Sequence, residues 1–105
     1  MTMIHKTEYG YVSFHAEVWD EREIYVSKLY VKPDNRGHKA GYKLLDHVKQ
    51  YAKDNGFSLV YLDVYPFECH NLVEEHIRTE QLIKYYKAYG FKQSKTTRTR
   101  MRMKI

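Results

Sequence analysis

The chain has 105 residues, the size of a single domain, and its 43% hydrophobic and 15% aromatic content is enough to build a core despite 30% charge. One cysteine, Cys69, excludes a disulfide framework and makes a reducing cytoplasm the default compartment. The net charge of +5 sits in residues 91–105, where Lys92, Lys95, Arg98, Arg100, Arg102 and Lys104 face no acid. That excess fits an anionic partner or the solvated face of a terminal strand.

No apolar run is long enough for a membrane span, and the opening MTMIHKTE reads as lacking an export signal. Residues 2–8 alternate weakly and predict a short strand, with Tyr9-Gly10 as a turn signal. Residues 11–18 set Val12, Phe14, Ala16 and Val18 against Tyr11, Ser13, His15 and Glu17, the pattern of a half-buried strand. Trp19 to Arg22 make a polar connection. Residues 23–32, EIYVSKLYVK, are β-branched and aromatic and predict a third strand. Short connections make the three an antiparallel meander.

Pro33 stops the third strand. From Gly41 to Asn55 the spacing turns helical, with Leu44, Leu45, Val48, Tyr51 and Ala52 on one stripe and Gly56 as the stop signal. The nearly continuous apolar run of residues 58–65, SLVYLDVY, suits a strand covered on both faces. Strand, helix and strand in this order predict a right-handed crossover with parallel pairing. Asn71 with Glu74 resembles a capping box, with Leu72, Val73, His76 and Ile77 as one helical face. Thr79 reads as a second cap, followed by Leu82, Tyr86 and Tyr89 on a stripe that Gly90 ends. Two short helices and one bent helix both fit. Residues 91–105 alternate and predict a terminal strand or hairpin. The fold class is thus α/β, as a mixed α+β sheet within one domain spanning 1–105. It has an antiparallel N-terminal meander, a central βαβ crossover, and a C-terminal helix and strand hairpin.

Chemistry concentrates in residues 31–41, VKPDNRGHKAG. Gly37 and Gly41 allow close approach of the backbone to a ligand, and the amides of the helix that follows favour an anion. Arg36, His38 and Lys39 add charge. Taken alone, this segment is either a pyrophosphate cradle or an ordinary strand-to-helix loop.

Three motifs in order carry a resemblance. Leu29-Tyr30-Val31-Lys32-Pro33 resembles the strand end of the GNAT acetyltransferase superfamily. Arg36 to Gly41 resembles its coenzyme A loop, Arg/Gln-x-x-Gly-x-Gly/Ala, with Lys39 in place of the central glycine. Tyr86-Lys87-Ala88-Tyr89-Gly90-Phe91 resembles its Tyr-x-x-x-Gly-Phe helix end. Compared with that family, residues before the meander that would supply the first strand and two helices are missing, and about a dozen residues around 66–78 look inserted.

The resemblance implies an N-acetyltransferase that moves an acetyl group from acetyl-coenzyme A, as co-substrate, to an amine. It implies that Leu29, Tyr30 and Val31 bind pantetheine and polarise the thioester. Arg36, Gly37, His38, Lys39, Ala40 and Gly41 would bind the pyrophosphate, and Thr79 falls where a cofactor-side Asn opens the later helix. Tyr86 would protonate the leaving thiolate, and Asp63, Tyr65, Glu68 and His70 are candidates to assist deprotonation of the amine. A phenol is a suitable acid for a strong thiolate base.

Each residue also has a plainer reading. Tyr86 fits a helical core stripe. Asp63, inside an apolar strand, is either a base or the partner of a nearby donor. Cys69, His70 and His76 have poor zinc spacing, so no metal is expected. The basic end and the tyrosines leave a nucleic-acid surface open, and an open-edged sheet makes a homodimer plausible. The alternative function is a non-catalytic module of the same fold that binds protein or nucleic acid.

Overall fold

A computed structural model describes residues 2–17, 22–37, 39–66 and 71–105. Val18, the Trp19–Glu21 part of the polar connection, His38, Glu68, Cys69 and His70 lie outside the described residues. Among the described residues are six strands and two helices. They run β1 (Thr2–Thr7), β2 (Gly10–Glu17), β3 (Glu23–Val31), α1 (Ala40–Asp54), β4 (Leu59–Asp63), α2 (Leu72–Tyr89), β5 (Lys92–Gln93) and β6 (Arg100–Lys104). The strands form one mixed sheet in the order β1-β2-β3-β4-β6-β5. Contacts divide the chain into two compact units, Met1–Tyr61 with Lys104–Ile105, and Leu62–Met103. Among the described residues no helix is long and apolar enough to cross a membrane.

The first unit holds the predicted meander. β1 and β2 pair antiparallel from Thr2↔His15 to Thr7↔Gly10, and β2 pairs antiparallel with β3. Thr7 closes the first turn: its Oγ1 donates to the Gly10 carbonyl at 3.1 Å and accepts from the Tyr9 N–H at 3.3 Å. Gly10 is needed for space, because a Cβ there would run into the Tyr30 carbonyl of β3. Val12, Phe14, Ile24 and Val26 are buried on one sheet face, and Leu44, Leu45, Val48 and Ala52 are buried on α1. Phe14 stands edge-on to Tyr51 at 5.4 Å, which places α1 on that face. Removing one such side chain, as in Leu44→Ala, costs about 2–5 kcal/mol in well-packed cores.

β3 departs from simple alternation. Ser13 pairs with Lys28, but the next residue, Phe14, pairs with Val26, so Ser27 is an extra, bulged residue. Before the bulge Ile24 and Val26 face α1; after it Leu29 and Val31 do, because they pair with Val12 and Gly10.

In the second unit the cap at Asn71 holds, its side chain accepting from the Glu74 N–H at 2.8 Å. The helix it starts then runs unbroken through Tyr89, so Thr79 does not begin a second one. Thr79 is buried inside the helix, and its hydroxyl donates to the Glu75 carbonyl at 2.8 Å. The buried stripe is Thr79, Ile83 and Tyr86, with Leu82 and Tyr89 only half-buried. Leu72, Val73 and Ile77 do not pack as expected and are exposed. Gly90 ends the helix at φ 132°, which lets Phe91 fold back and donate its N–H to the Tyr86 carbonyl at 3.0 Å. β5 and β6 form the terminal hairpin, paired Lys92↔Arg102 and Gln93↔Met101, with Met101 and Met103 buried. β4 alternates rather than being uniformly covered: Val60 and Leu62 are buried, while Leu59, Tyr61 and Asp63 are half-buried.

On the outer strand His5 stacks face to face on His47 of α1, 3.7 Å between ring centroids and 4° from parallel. Burial, then the nearby His5 charge, hold the His47 imidazole below its ordinary value. The folded state therefore favours the neutral ring. Its contribution is intact above about pH 6.5 and is lost as pH falls, because the unfolded chain takes up the proton first. Thermal unfolding is expected to drop between about pH 7.5 and pH 5, and less so in His47→Gln. An equal drop in the variant would remove the pair from the cause.

Candidate functional site

The first unit carries the predicted binding residues on the far end of β3 and the segment that follows. Lys32 donates its N–H to the Tyr9 carbonyl at 2.9 Å, so the peptide groups of Lys32 face β2. Peptide groups alternate along a strand, so those of Tyr30 face β2 as well, and those of Leu29 and Val31 face the opposite edge. The closeness of the Tyr30 carbonyl to Gly10 supports the same assignment.

That opposite edge belongs to β4. The Ser58 N–H donates to the Arg22 carbonyl at 3.2 Å, and the Tyr25 and Tyr61 rings, three residues further along each strand, are 5.0 Å apart. The two strands thus start level and run parallel. β4 has five residues and β3 has nine, so β4 runs out first, and Leu29 and Val31 lie beyond its end. The expected backbone donors are therefore Leu29 and Val31. Tyr30 turns its peptide groups to β2, and its ring lies 5.6 Å from that of Tyr11 and 5.9 Å from the Arg36 guanidinium.

Pro33 to Asn35 form a short 3-10 turn that hands the chain to the loop. Arg36 is tied back to the strand, its Nε donating to the Val31 carbonyl at 2.9 Å. Gly37 has φ 86°, a left-handed value that glycine adopts without strain. Lys39 also sits in the left-handed region, at φ 59° and ψ 21°, and serves as the N-cap of α1 with no side-chain capping bond. For a residue with a Cβ that conformation costs roughly 1–2 kcal/mol. Ala40 and Gly41, both buried, open the helix, whose first turn holds no acidic residue. Amides of a first helical turn have no acceptor inside the helix, so this end is fit to receive an anion. His38 lies outside the described residues.

The second unit carries the remaining candidates. Tyr86 is buried, 8% exposed, with Tyr85 and Phe91 edge-on at 5.3 and 5.7 Å. Burial, and then the neighbouring Tyr85, push its phenol well above the ordinary value. It stays protonated through neutral and mildly alkaline pH, so its proton is in place, although the same shift makes it a weaker acid than an ordinary phenol. Asp63 meets Arg100 side by side: Nε donates to Oδ1 at 2.9 Å and Nη2 donates to Oδ2 at 3.0 Å. Sequence reading did not find this partner, although a carboxylate within an apolar strand and an Arg-rich alternating one were the two visible halves of it. Thr79 lies two turns inside α2, where it caps nothing. Tyr65 is largely exposed, and Glu68 and His70 are outside the described residues.

Arg100 also shows where some of the basic excess goes. It neutralises Asp63, and Arg98 pairs with Glu80 of α2. Asp63→Asn is expected to lower stability by about 1–2 kcal/mol, a half-exposed pair giving less than a buried one. Denaturant midpoints check this, and an unchanged midpoint would make the pair incidental.

Comparison with known proteins gives the same picture. The family model described as Acetyltransferase (GNAT) family matches residues 9–91. The thialysine N-epsilon-acetyltransferase of Bos taurus is 39% identical over 56 residues, which are 53% of this chain and 33% of that protein. Its Sus scrofa counterpart is 40% identical over 58 residues, 52% of this chain and 34% of that protein. The match thus spans about a third of the length of these curated relatives. Among solved structures, nourseothricin acetyltransferase aligns with a TM-score of 0.67 at 20% identity, over 90% of this chain and 56% of that one. The paia N-acetyltransferase of Thermoplasma acidophilum, in complex with coenzyme A, aligns with a TM-score of 0.63 at 24% identity, over 92% and 54%. At these identities the structural likeness is one of fold, but the family match covers most of the chain: this protein belongs to the GNAT acetyltransferase family.

Proposed function

We propose that the chain binds acetyl-coenzyme A along the open edge of β3 and transfers the acetyl group to a primary alkyl amine. The observation that carries this reading is the pair of Leu29 and Val31 amides aimed off β3 past the end of β4, with the Arg36–Gly41 loop next along the chain.

In this reading the Leu29 and Val31 N–H groups hold the pantetheine arm and polarise the thioester carbonyl. Donors already fixed in place stabilise charge as it develops on that oxygen. Arg36, Gly37, His38, Lys39, Ala40 and Gly41 take the pyrophosphate, with the first-turn amides of α1 facing it. The Lys39 ammonium adds a charged donor where the family has glycine, which offsets part of the strain in its backbone. Thr79, with its hydroxyl committed to Glu75, supports α2. The attacking amine is neutral; its nitrogen forms the new C–N bond as the C–S bond breaks. Tyr86 protonates the departing sulfur, and the proton shed by the amine restores the phenol. Asp63 is assigned to Arg100 and not to that proton. The bovine and porcine relatives are named for the ε-amine of thialysine, so a lysine-like ε-amine is the acceptor class to test first.

Calorimetry with acetyl-coenzyme A is expected to show saturable binding, and no heat at millimolar ligand would overturn the reading. Binding without thiol release in the presence of thialysine, lysine or diamines would leave a coenzyme A-binding module that does not transfer. Tyr86→Phe is expected to lower kcat about 10- to 100-fold with KM for acetyl-coenzyme A little changed. Equal kcat in that variant would take Tyr86 out of the mechanism. The buried phenol also sets an alkaline limit. Its contribution to stability is full below about pH 10 and is lost as pH rises further, because the unfolded phenol ionises there while the folded one does not. Tyr86→Phe should lack that alkaline loss in thermal unfolding.

A further inference from the structure

The Ser27 bulge does more than turn the half-buried Leu29 toward α1. Without it, Lys28 would share the face of Val26, which is buried on the α1 side. With it, Lys28 pairs with Ser13 and comes out on the other face, exposed, in line with Tyr11 and Tyr30. The Ser27 hydroxyl pins the bulge by donating to the Ser13 carbonyl at 3.1 Å, with the two serine hydroxyls 2.9 Å apart. The Lys28 Nζ rests 5.6 Å from the centre of the Tyr11 ring, a distance at which an aromatic face attracts a cation.

The peptide that links Lys28 to Leu29 owns one of the two N–H groups assigned above to the pantetheine arm and the thioester carbonyl. A carbonyl held by that N–H therefore lies within the sweep of the Lys28 side chain, a flexible four-carbon stem ending in an ε-amine. That amine is of the acceptor class named above, and it is carried by the chain itself.

We propose that Lys28 is an acceptor in cis: the protein acetylates its own Lys28. The inference rests on the reading that Leu29 holds the acetyl thioester. The Lys28 Nζ leaves the Tyr11 ring, loses its proton to water, and attacks the thioester carbonyl carbon with its lone pair. A C–N bond forms, the C–S bond breaks, and the sulfur leaves as a thiolate that takes up a proton. The products are Nε-acetyl-Lys28 and coenzyme A. The side chain loses its positive charge and with it the attraction to Tyr11. Placement next to the bound thioester makes the step unimolecular in the complex, which favours Lys28 over the lysines that meet acetyl-coenzyme A only from solution.

The test incubates the full chain with acetyl-coenzyme A and follows intact mass and peptide mass. The expected result is one adduct of about 42 Da, mapped to Lys28. Its first-order rate should not change when the protein is diluted, and excess coenzyme A should suppress it. Lys28→Arg should lower the initial rate of adduct formation about tenfold or more. Calorimetry on the same samples separates the two claims. Wild-type protein that binds acetyl-coenzyme A but gains no mass at Lys28 overturns the inference and leaves the functional reading standing. Adducts spread over surface lysines such as Lys6, Lys84 and Lys87 and insensitive to coenzyme A also overturn it, as does a rate that falls on dilution. Absence of binding overturns both.

Discussion

The site depends on a division of labour along the two edges of β3. Every second peptide group must pair with β2, or the meander has no register. The others face β4, which is too short to reach the end of β3. Beyond that point the strand is paired with β2, and the groups on its other side are donors with no strand partner among the described residues. A backbone amide in a loop would have to be ordered on binding. Here the ordering has already been supplied by Val12, Tyr11 and Gly10 across the ladder. The tie from Arg36 to the Val31 carbonyl then joins the loop to the same edge, so that strand end and helix start are fixed by one short stretch of chain.

Much of this was legible in the sequence. The period-two and helical spacings marked β2, β3 and α1 within a residue or two, because each buries a continuous stripe and burial is what the spacing reports. The loop was visible from Gly37 and Gly41, and the family resemblance put a role on it. What escaped was whatever depends on two segments at once. The bulge at Ser27 exists only relative to the register of β2, so no local pattern announces it. The partner of Asp63 is on another strand. Which alternate amides of β3 face outward follows from one bond, Lys32 to Tyr9, so Tyr30 could not be told from Leu29 and Val31 in advance. α2 misled for a different reason: its first turns carry apolar side chains that nothing covers among the described residues, so its apolar pattern does not report its buried stripe.

Lys39 shows how local strain and electrostatics combine at one position. A lysine in a left-handed conformation is held there by the turn on one side and the helix on the other. Glycine would relieve the strain but would remove the ammonium from the helix start. The basic residues near the C-terminus show the opposite case. Two of them are engaged by Asp63 and Glu80, and their charge is used within the second unit instead of making an open anion-binding site.

The bulge has a consequence for which changes the gene tolerates. Most strand positions accept substitution, because only one face is read by the core. A one-codon deletion at Ser27 belongs with these tolerated changes. It would remove the one residue of β3 that has no partner on β2, so Lys28 would follow Val26 in plain alternation, still outward, with Leu29 and Val31 still inward and their amides still turned away from β2. What would be lost is the pin that the Ser27 hydroxyl makes to Ser13. In a regular strand the same lesion turns every later residue over; here the spare residue gives the strand room for one deletion without loss of register.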